Sequence, residues 1–567
     1  MSADVLTGEI AIRDVAQATS QNPDYQQFYA DFDVEKIAAV LSGDLKTGIN
    51  ACVECCDRHA QPGRVALFYE NKDGSSTQYT FEQLRDLSAK FANLLTQQGV
   101  QPGDRVAGLL PRTPELLITI LGTWRAGAVY QPLFTAFGSK SIEHRVISSE
   151  AKLVVTDADN RHKLNDIPGC PNALTIADKN GQGVIAGDLN FWEQLDQQST
   201  DFAPVMRSGD DAFMMMFTSG TTGPAKGVVV PLRAMLAFYV YARYAMDIRP
   251  EDAFWNIADA GWAYGLYYCV TGPLLLGHAI TLYDGAFTVE NCYRVIEKYG
   301  ITNLAGSPTA YRMLIASGEA LAGSIKGQLR VVSSAGEPLN PEVIRWFKEY
   351  LDCPIYDHYG QTENGMMLCN HHGLAHSFLP GSAGFAMPGY RLAVLNEEGL
   401  ELGVGEPGVL AADRARSPLF WFQGYWPQSG STPRDNYYLT GDTVENNADG
   451  SISFVGRDDD IITSAGYRIG PFDVESALLE HDAVAEAAVV GKPDPERTEL
   501  VKAFVVLRAG YEASELLAVE LQQYVKKRLA AHSYPREIAF LEELPKTPSG
   551  KLQRFILRNQ EIAKGKL

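Results

Sequence analysis

The 567-residue sequence contains no uninterrupted apolar run of transmembrane length, and its opening segment, MSADVLTGEIAIRDVAQATS, has no basic region followed by an apolar core. Neither a stable membrane insertion nor a secretory leader is expected, and the cytoplasm is the default location. Positive charge is in deficit: 49 Lys and Arg against 69 Asp and Glu leave a formal net charge of -20. This balance favours solubility and argues against nonspecific attraction to nucleic acid or anionic membranes, yet a local basic pocket for an anionic substrate is compatible with it. Cysteine is scarce, and eight in a chain this long do not build a disulfide framework. Cys52, Cys55 and Cys56 gather in CVECC without a second ligand cluster, so reduced thiols packed on a helix are expected there. No low-complexity tract or solenoid repeat dominates the chain.

The residues that are present describe a folded protein. With 46% hydrophobic residues, 21% charged residues and 29 prolines, the composition is that of a globular chain whose length exceeds a single core. At least two domains follow. In SSTQYTFEQLRDLSAKFANLLTQQGV a short polar strand precedes Phe81, Leu84, Leu87, Phe91 and Leu95, whose spacing predicts a helix ending before Gly99. DRVAGLL and AKLVVTD read as buried strands, and PELLITILGTWRAGAVYQPL as a helix and then a turn. The succession continues through GQLRVVSSAGEPLNPEVIRWFKEYLDCPIYDHYGQTE, which predicts an α/β architecture with its ligand beyond the strand C-termini. After Gly399 shorter strand-rich elements take over, and Asp458 to Leu567 provides enough chain for a compact C-terminal domain.

MFTSGTTGPAKGV, Met216 to Val228, sets three glycines, four hydroxyl side chains and one lysine between apolar flanks. Gly220, Gly223 and Gly227 allow backbone amides to approach phosphate; Thr218, Ser219, Thr221 and Thr222 add donors; Lys226 adds a mobile charge. The common P-loop places Ser or Thr directly after its lysine, whereas Gly227 follows Lys226 here, so a different ATP-binding fold is preferred. In DHYGQTENG, Glu363 is suited to a magnesium ion carried with ATP, and Thr362 to phosphate oxygens. Asp442, closing YYLTGD, is suited to ribose hydroxyls, while FVGRDDDII adds Arg457 and LPKTPSGKLQR adds a glycine-flanked Lys551.

Together TSGTTGPAKG, GEPLNPEVIRW, YGQTENG, YLTGD, GRDDDII, SAGYRIGPFDVE and PKTPSGKLQR resemble the adenylate-forming family, and within it the AMP-forming short- and medium-chain acyl-CoA synthetases. The resemblance runs from about residue 30 almost to the C-terminus. It implies a large N-terminal multi-subdomain fold over residues 1–456, a hinge region at 457–460 and a small mobile α+β domain over 461–567. It implies ATP, Mg2+ and coenzyme A as cofactors and a small carboxylic acid as substrate, activated as acyl-AMP and then transferred to the thiol. Transfer to a carrier-protein thiol, and a non-catalytic nucleotide-responsive protein, stand as alternatives; monomer and small homo-oligomer are both open.

By the same resemblance, Thr218 through Thr222 and Lys226 surround the β and γ phosphates, Thr362 lies near the α-phosphate, Glu363 holds magnesium, and Lys551 bridges carboxylate and phosphate. Gly336, Glu337 and Pro338 line the adenine side, Asp357 receives the adenine amino group, and Tyr359 offers its ring. Gln361, Asp442 and Arg457 belong to the ribose and phosphate side. Asp459 matches the hinge, Gly466 and Tyr467 the thiol tunnel, and Arg468 a phosphate contact. Trp262, Ala263, Tyr264 and Ala335 are implied to line the acyl pocket. Related acetyl-CoA synthetases carry tryptophan where this chain has Gly360, so the resemblance implies a deeper pocket and acids longer than acetate. Two departures stand out: Pro224-Ala225-Lys226 shifts the loop proline, and VVVPLRAML lacks the histidine common after the loop, weakening any gate assignment there.

Overall fold

Residues 22–218, 225–316, 319–427, 436–457, 460–464, 467–494, 497–529, 533–547 and 552–564 are described in a computed structural model of the chain. Ser219, Gly220, Thr221, Thr222, Asp459, Gly466 and Lys551 lie outside those residues, as do the side chains of Tyr467 and Arg468.

The expected strand and helix signals take their places. Ser76–Thr80 is a strand, and Thr80 then caps the helix Phe81–Gln97 through a reciprocal box with Gln83. The helix buries Phe81, Leu84, Phe91 and Leu95, and the chain turns at Gly99 with φ +79°. Pro114 opens the helix Pro114–Arg125, where a proline loses no helical hydrogen bond. The segment after it departs from the expected turn: Val129–Pro132 is a buried strand, parallel to Arg105–Leu109. CVECC forms the helix Ala51–Cys55 with Cys56 as its cap, and all three thiols are free and buried.

Among the described residues the strands make five sheets. An eight-stranded sheet runs from Tyr425–Trp426 at one edge through Lys226–Pro231, Ala212–Thr218, Val129–Pro132, Arg105–Leu109, Leu153–Asp157 and Ala173–Ile176 to Leu189–Asn190. A six-stranded sheet orders Phe254–Asn256, Asn303–Gly306, Val331–Ala335 and Ile355–Gln361 in parallel, then turns back antiparallel into Gly365–Cys369 and Phe385–Ala386. Helices such as Val289–Lys298 and Pro341–Trp346 make the parallel crossovers and bury their apolar faces in that sheet's own core. An antiparallel four-stranded sheet, Leu392–Leu395, Pro407–Asp413, Tyr437–Asn446 and Ile452–Arg457, follows. A fourth, three-stranded sheet joins Ile280–Tyr283, Val65–Glu70 and Ser76–Thr80.

The fifth sheet belongs to the small C-terminal domain. It contains Tyr467–Ile469, Ile462–Ser464, Thr498–Leu507 and Val484–Asp494, with Glu537–Phe540 paired parallel to Thr498–Leu507. Helices Pro471–Leu479 and Glu515–Arg528 cover it, and Ile462, Val474, Leu478, Val489, Val505 and Leu521 form its separate core. Asn340 of the large domain donates to Ser476 Oγ at 2.9 Å across the domain boundary. No helix among the described residues is long and apolar enough to cross a membrane.

Candidate active site

Two turns leave the same end of the six-stranded sheet. Ile355–Gln361 lies centrally in the six-stranded sheet, and its C-terminal end carries Tyr359, Gly360 and Gln361 before Thr362 and Glu363 begin the turn into Gly365–Cys369. Gly365 makes that turn with φ +66°, a conformation that L side chains rarely adopt. Beside it, Val331–Ala335 ends at Gly336, φ +100°, so Ala335, Gly336, Glu337 and Pro338 leave the neighbouring strand at the same end of the sheet.

At this strand end Asp442 Oδ2 accepts hydrogen bonds from the Tyr359 hydroxyl at 2.5 Å and from Gln361 Nε2 at 2.9 Å. Gln361 also donates to Thr440 O at 2.8 Å, and its Oε1 accepts from the Tyr438 hydroxyl at 2.9 Å. The amide is thereby assigned: nitrogen faces the carboxylate and carbonyl, oxygen faces the phenol. Asp442 opposes Arg457 across adjacent strands, so the two stand side by side in the four-stranded sheet.

The strands flanking the glycine-rich loop pair with Thr218 opposite Lys226, which brings the two ends of the loop together. Lys226 Nζ stands 5.1 Å from the centre of the Tyr425 ring, and the Tyr425 hydroxyl donates to Glu363 Oε1 at 2.8 Å. Burial pushes the Glu363 carboxyl above its ordinary pKa, and the Tyr425 hydrogen bond opposes that shift. A half-buried carboxylate held in place by a phenol that itself lies against a lysine is a donor set suited to a hard divalent cation that arrives with phosphate. Thr362 is fixed through its carbonyl, which accepts from the Tyr267 hydroxyl at 3.0 Å.

Asp357, on the same strand, has one unmatched oxygen. Asp357 Oδ2 accepts from Leu339 N at 3.1 Å, whereas Oδ1 is buried without a hydrogen-bond partner. Burial pushes this carboxyl up to about 8. An acceptor left open inside the protein fits a ligand amino group. Glu337 is held by Arg312, 2.8 Å away, and by the Thr309 hydroxyl at 2.7 Å.

The surroundings of Trp262 are aromatic. Trp262 packs against Phe134 and Phe137 at ring-centre distances of 5.2 and 5.4 Å, and Ala263 and Tyr264 follow it into a short helix. Tyr264 joins a buried polar chain: its hydroxyl lies 3.3 Å from that of Tyr241, which lies 2.7 Å from His358 Nδ1. His358 Nε2 lies 2.9 Å from the Asn370 carbonyl, which only accepts; Nε2 therefore carries the proton and Nδ1 accepts from Tyr241. Tyr241 in turn accepts from Tyr264.

Gly360 requires a correction. A Cβ added there would lie 2.3 Å from Gly365 O and 2.7 Å from Met366 Cα. The missing side chain points onto the backbone of the return strand, so the close approach within this hairpin calls for glycine whatever the depth of the acyl pocket, and the volume argument for longer acids loses its support here.

Tyr425, Tyr438, Tyr241, His358, Arg312, Phe134 and Phe137 were not singled out from the sequence. Two of them had a local signal: His358, inside DHYGQTE beside Asp357, and Tyr438, inside YYLTGD before Asp442.

The AMP-binding enzyme family matches residues 56–426, and the AMP-binding enzyme C-terminal domain matches residues 473–551. The chain belongs to the AMP-binding enzyme family. It is 36% identical to the acetyl-coenzyme A synthetase of Bacillus subtilis over 95% of each chain. It is 37% identical to the mitochondrial acyl-coenzyme A synthetase ACSM4 of Rattus norvegicus, over 88% of this chain and 87% of that one. Among solved structures, the Brucella canis acyl-CoA synthetase is 60% identical with a TM-score of 0.78, covering 96% of this chain and 100% of that one. The anthranilate CoA ligase AuaEII in complex with anthranoyl-AMP is 26% identical with a TM-score of 0.84, covering 92% and 99%.

Proposed function

We infer that this member of the AMP-binding family is an AMP-forming acid:CoA ligase, converting a carboxylic acid, ATP and coenzyme A to acyl-CoA, AMP and pyrophosphate through acyl-AMP. The observation that carries this reading is the convergence, on one strand end, of Asp442 with its two donors, the unmatched Asp357 oxygen, and the Lys226, Tyr425 and Glu363 group.

The first step needs alignment more than activation, because a carboxylate is already an adequate nucleophile toward the α-phosphorus. Asp442 takes the ribose hydroxyls, Asp357 the adenine amino group, and Arg457 the adjoining phosphate edge, which fixes the nucleotide at three points. Thr218, Ser219, Gly220, Thr221, Thr222 and Lys226 receive the β and γ phosphates as charge moves toward pyrophosphate. Mg2+ bound with ATP neutralises phosphate charge, and Glu363 is the residue that holds it. Lys551 approaches from the small domain and stabilises the new P–O bond.

In the second step the thiol attacks acyl-AMP, and AMP departs as the leaving group. The small domain rotates about Asp459 between steps, removing Lys551 and presenting Gly466, Tyr467 and Arg468. None of the eight cysteines is required as a nucleophile. The apolar wall of Trp262, Phe134 and Phe137 supports an acid with an apolar tail, of the short- or medium-chain fatty class. A cytoplasmic location completes the reading.

An acid panel incubated with ATP and magnesium tests it. The expected products are AMP and pyrophosphate in acid-dependent amounts, with acyl-CoA identified by mass when coenzyme A is added. ADP in their place overturns the reading, and acyl transfer only to a carrier protein overturns the choice of acceptor.

A further inference from the structure

In the small domain, charged side chains join the chain leaving the hinge to the helix Arg554–Lys564, which begins three residues after Lys551. Arg554 forms a fork on Glu475: Nε donates to Oε1 at 2.8 Å and Nη2 to Oε2 at 2.6 Å. Glu475, 6% exposed, also accepts from Val489 N at 2.8 Å, which anchors the fork to the central strand Val484–Asp494. The third nitrogen of Arg554 stands 3.7 Å from Asp460 Oδ2, and Arg558 Nη2 donates to Asp460 Oδ1 at 2.5 Å. Asp460 directly follows Asp459, and the backbone amides of Asp460 and Ile461 both donate to Arg457 O, at 2.9 and 3.0 Å.

The helix is fastened elsewhere too. Near its far end Lys502 donates to the buried Glu561 at 2.8 Å. Just before its start, Leu552, the residue after Lys551, is bridged to Lys546, and Gln553 N donates to Pro545 O at 2.9 Å. Burial alone would lower the pKa of Arg554, but Glu475 and Asp460 hold it above its ordinary value, so the guanidinium stays charged. Half-buried ion pairs of this kind return little net stability for the desolvation they require. A bidentate fork does fix geometry.

We propose that Arg554 and Arg558 are positioning residues for Lys551: through Asp460 and Glu475 they lock the helix behind that lysine to the chain leaving the hinge, so rotation at Asp459 reaches the lysine without slack. The proposal rests on the reading above that Lys551 serves acyl-AMP formation and that Asp459 is the hinge. Every group in the clamp lies after Asp459 and travels with the small domain. Among the described residues, the amides of Asp460 and Ile461 tie the clamp to Arg457 O at the start of the hinge, and Asn340 of the large domain reaches Ser476 beside Glu475. A lysine that must bridge two reacting oxygens is sensitive to displacement of about 1 Å.

The test separates the half-reactions of the full-length enzyme: acid-dependent pyrophosphate release, and acyl-CoA formation from supplied synthetic acyl-AMP. Arg558→Ala is expected to lower kcat for pyrophosphate release about tenfold, with KM for ATP and acid, and the thiol step, each within about twofold. Arg558→Lys, which keeps one charged donor for Asp460, is expected to recover most of that loss. Asp460→Asn combined with Arg558→Ala is expected to be no slower than the worse single variant, as for two partners in one contact. Equal losses in both half-reactions that follow a lowered Tm, or losses that multiply in the double variant, overturn the proposal. Lys551→Ala separates the two levels. If it leaves pyrophosphate release intact, the role given to Lys551 fails and the positioning role with it; if it abolishes release while Arg558→Ala and Asp460→Asn do not slow it, only the positioning role fails.

Discussion

Replacing Gly360 by alanine adds a single carbon, which the hairpin has no room for. The added Cβ would lie 2.3 Å from Gly365 O, 2.7 Å from Met366 Cα and 2.8 Å from Gly365 C, all backbone atoms that no rotamer change can move aside. Restoring ordinary contact requires the turn between Gln361 and Gly365 to shift by about 1 Å, and overpacking of this kind costs about 1–3 kcal/mol. That turn carries Thr362 and Glu363. A shift of about 1 Å at reacting groups costs on the order of 100-fold in rate. The assay is kcat/KM for acids from acetate to octanoate, with Tm measured in parallel. Gly360→Ala is expected to depress every acid by a similar factor, and Gly360→Trp to depress them further. If Gly360→Ala keeps full activity toward acetate and loses only the longer acids, the position limits the pocket after all, and the argument from backbone contact is refuted.

Asp442→Asn removes the charge that accepts from Tyr359 and Gln361; losing a charged hydrogen-bond acceptor costs about 1.5–3 kcal/mol, so KM for ATP should rise at least tenfold while KM for the acid stays put. Tyr425→Phe leaves Glu363 without its phenol donor, and the magnesium concentration for half-maximal rate should rise several-fold; an unchanged magnesium curve would count against Glu363 as the metal-holding group. Asp357 has an ordinary pKa of 3.8 and is pushed up to about 8 by burial, so the folded chain keeps a proton there that the unfolded chain has released. This stability is complete below 3.8 and fades as pH rises to about 8; Asp357→Asn should gain Tm relative to the parent as pH goes from 5 to 8, and a constant difference rejects the shift. An adenine amino group donating to Asp357 favours its ionised form, so ATP binding near pH 7 should release a proton, seen as a binding enthalpy that changes with the ionisation enthalpy of the buffer.

The contiguous parts of the site were legible in the sequence because each is a turn with a chemical demand of its own. Gly336 at φ +100° and Gly365 at φ +66° occupy backbone conformations that mark turns, and both stand inside quoted motifs. The partners were not legible, because their proximity is created by sheet order. Tyr425 reaches Glu363 only because a two-residue strand, Tyr425–Trp426, adds to the edge of Lys226–Pro231, and so short a strand has no periodicity to read. Val129–Pro132 is a second case: the sequence reads there as a turn after the helix, while pairing on both sides makes a fully buried strand. Gly360 shows the opposite error, in which a position compared by side-chain volume is governed by a backbone 2.3 Å from the missing carbon.

The tyrosines explain why the site can hold its carboxylates before any ligand arrives. Asp442 and Glu363 are both drawn out of water, and each accepts from a phenol, Tyr359 at 2.5 Å and Tyr425 at 2.8 Å. Burial raises both phenols above their ordinary pKa, so at neutral pH they remain neutral donors that add no charge of their own. A lysine or arginine in the same places would bind each carboxylate more strongly and compete with the ligand for it. Neutral donors fix the direction of each carboxylate, and because the dipoles are set by the fold, little reorganisation is left for a reaction beside them. The same principle holds beside Trp262: Tyr264, Tyr241 and His358 pass one another hydrogen bonds in a fixed sense, with His358 held neutral by burial that pushes it down to about 4. On the function proposed above, Lys226 and Lys551 then act on phenol donors and carboxylates that the fold has already set in place.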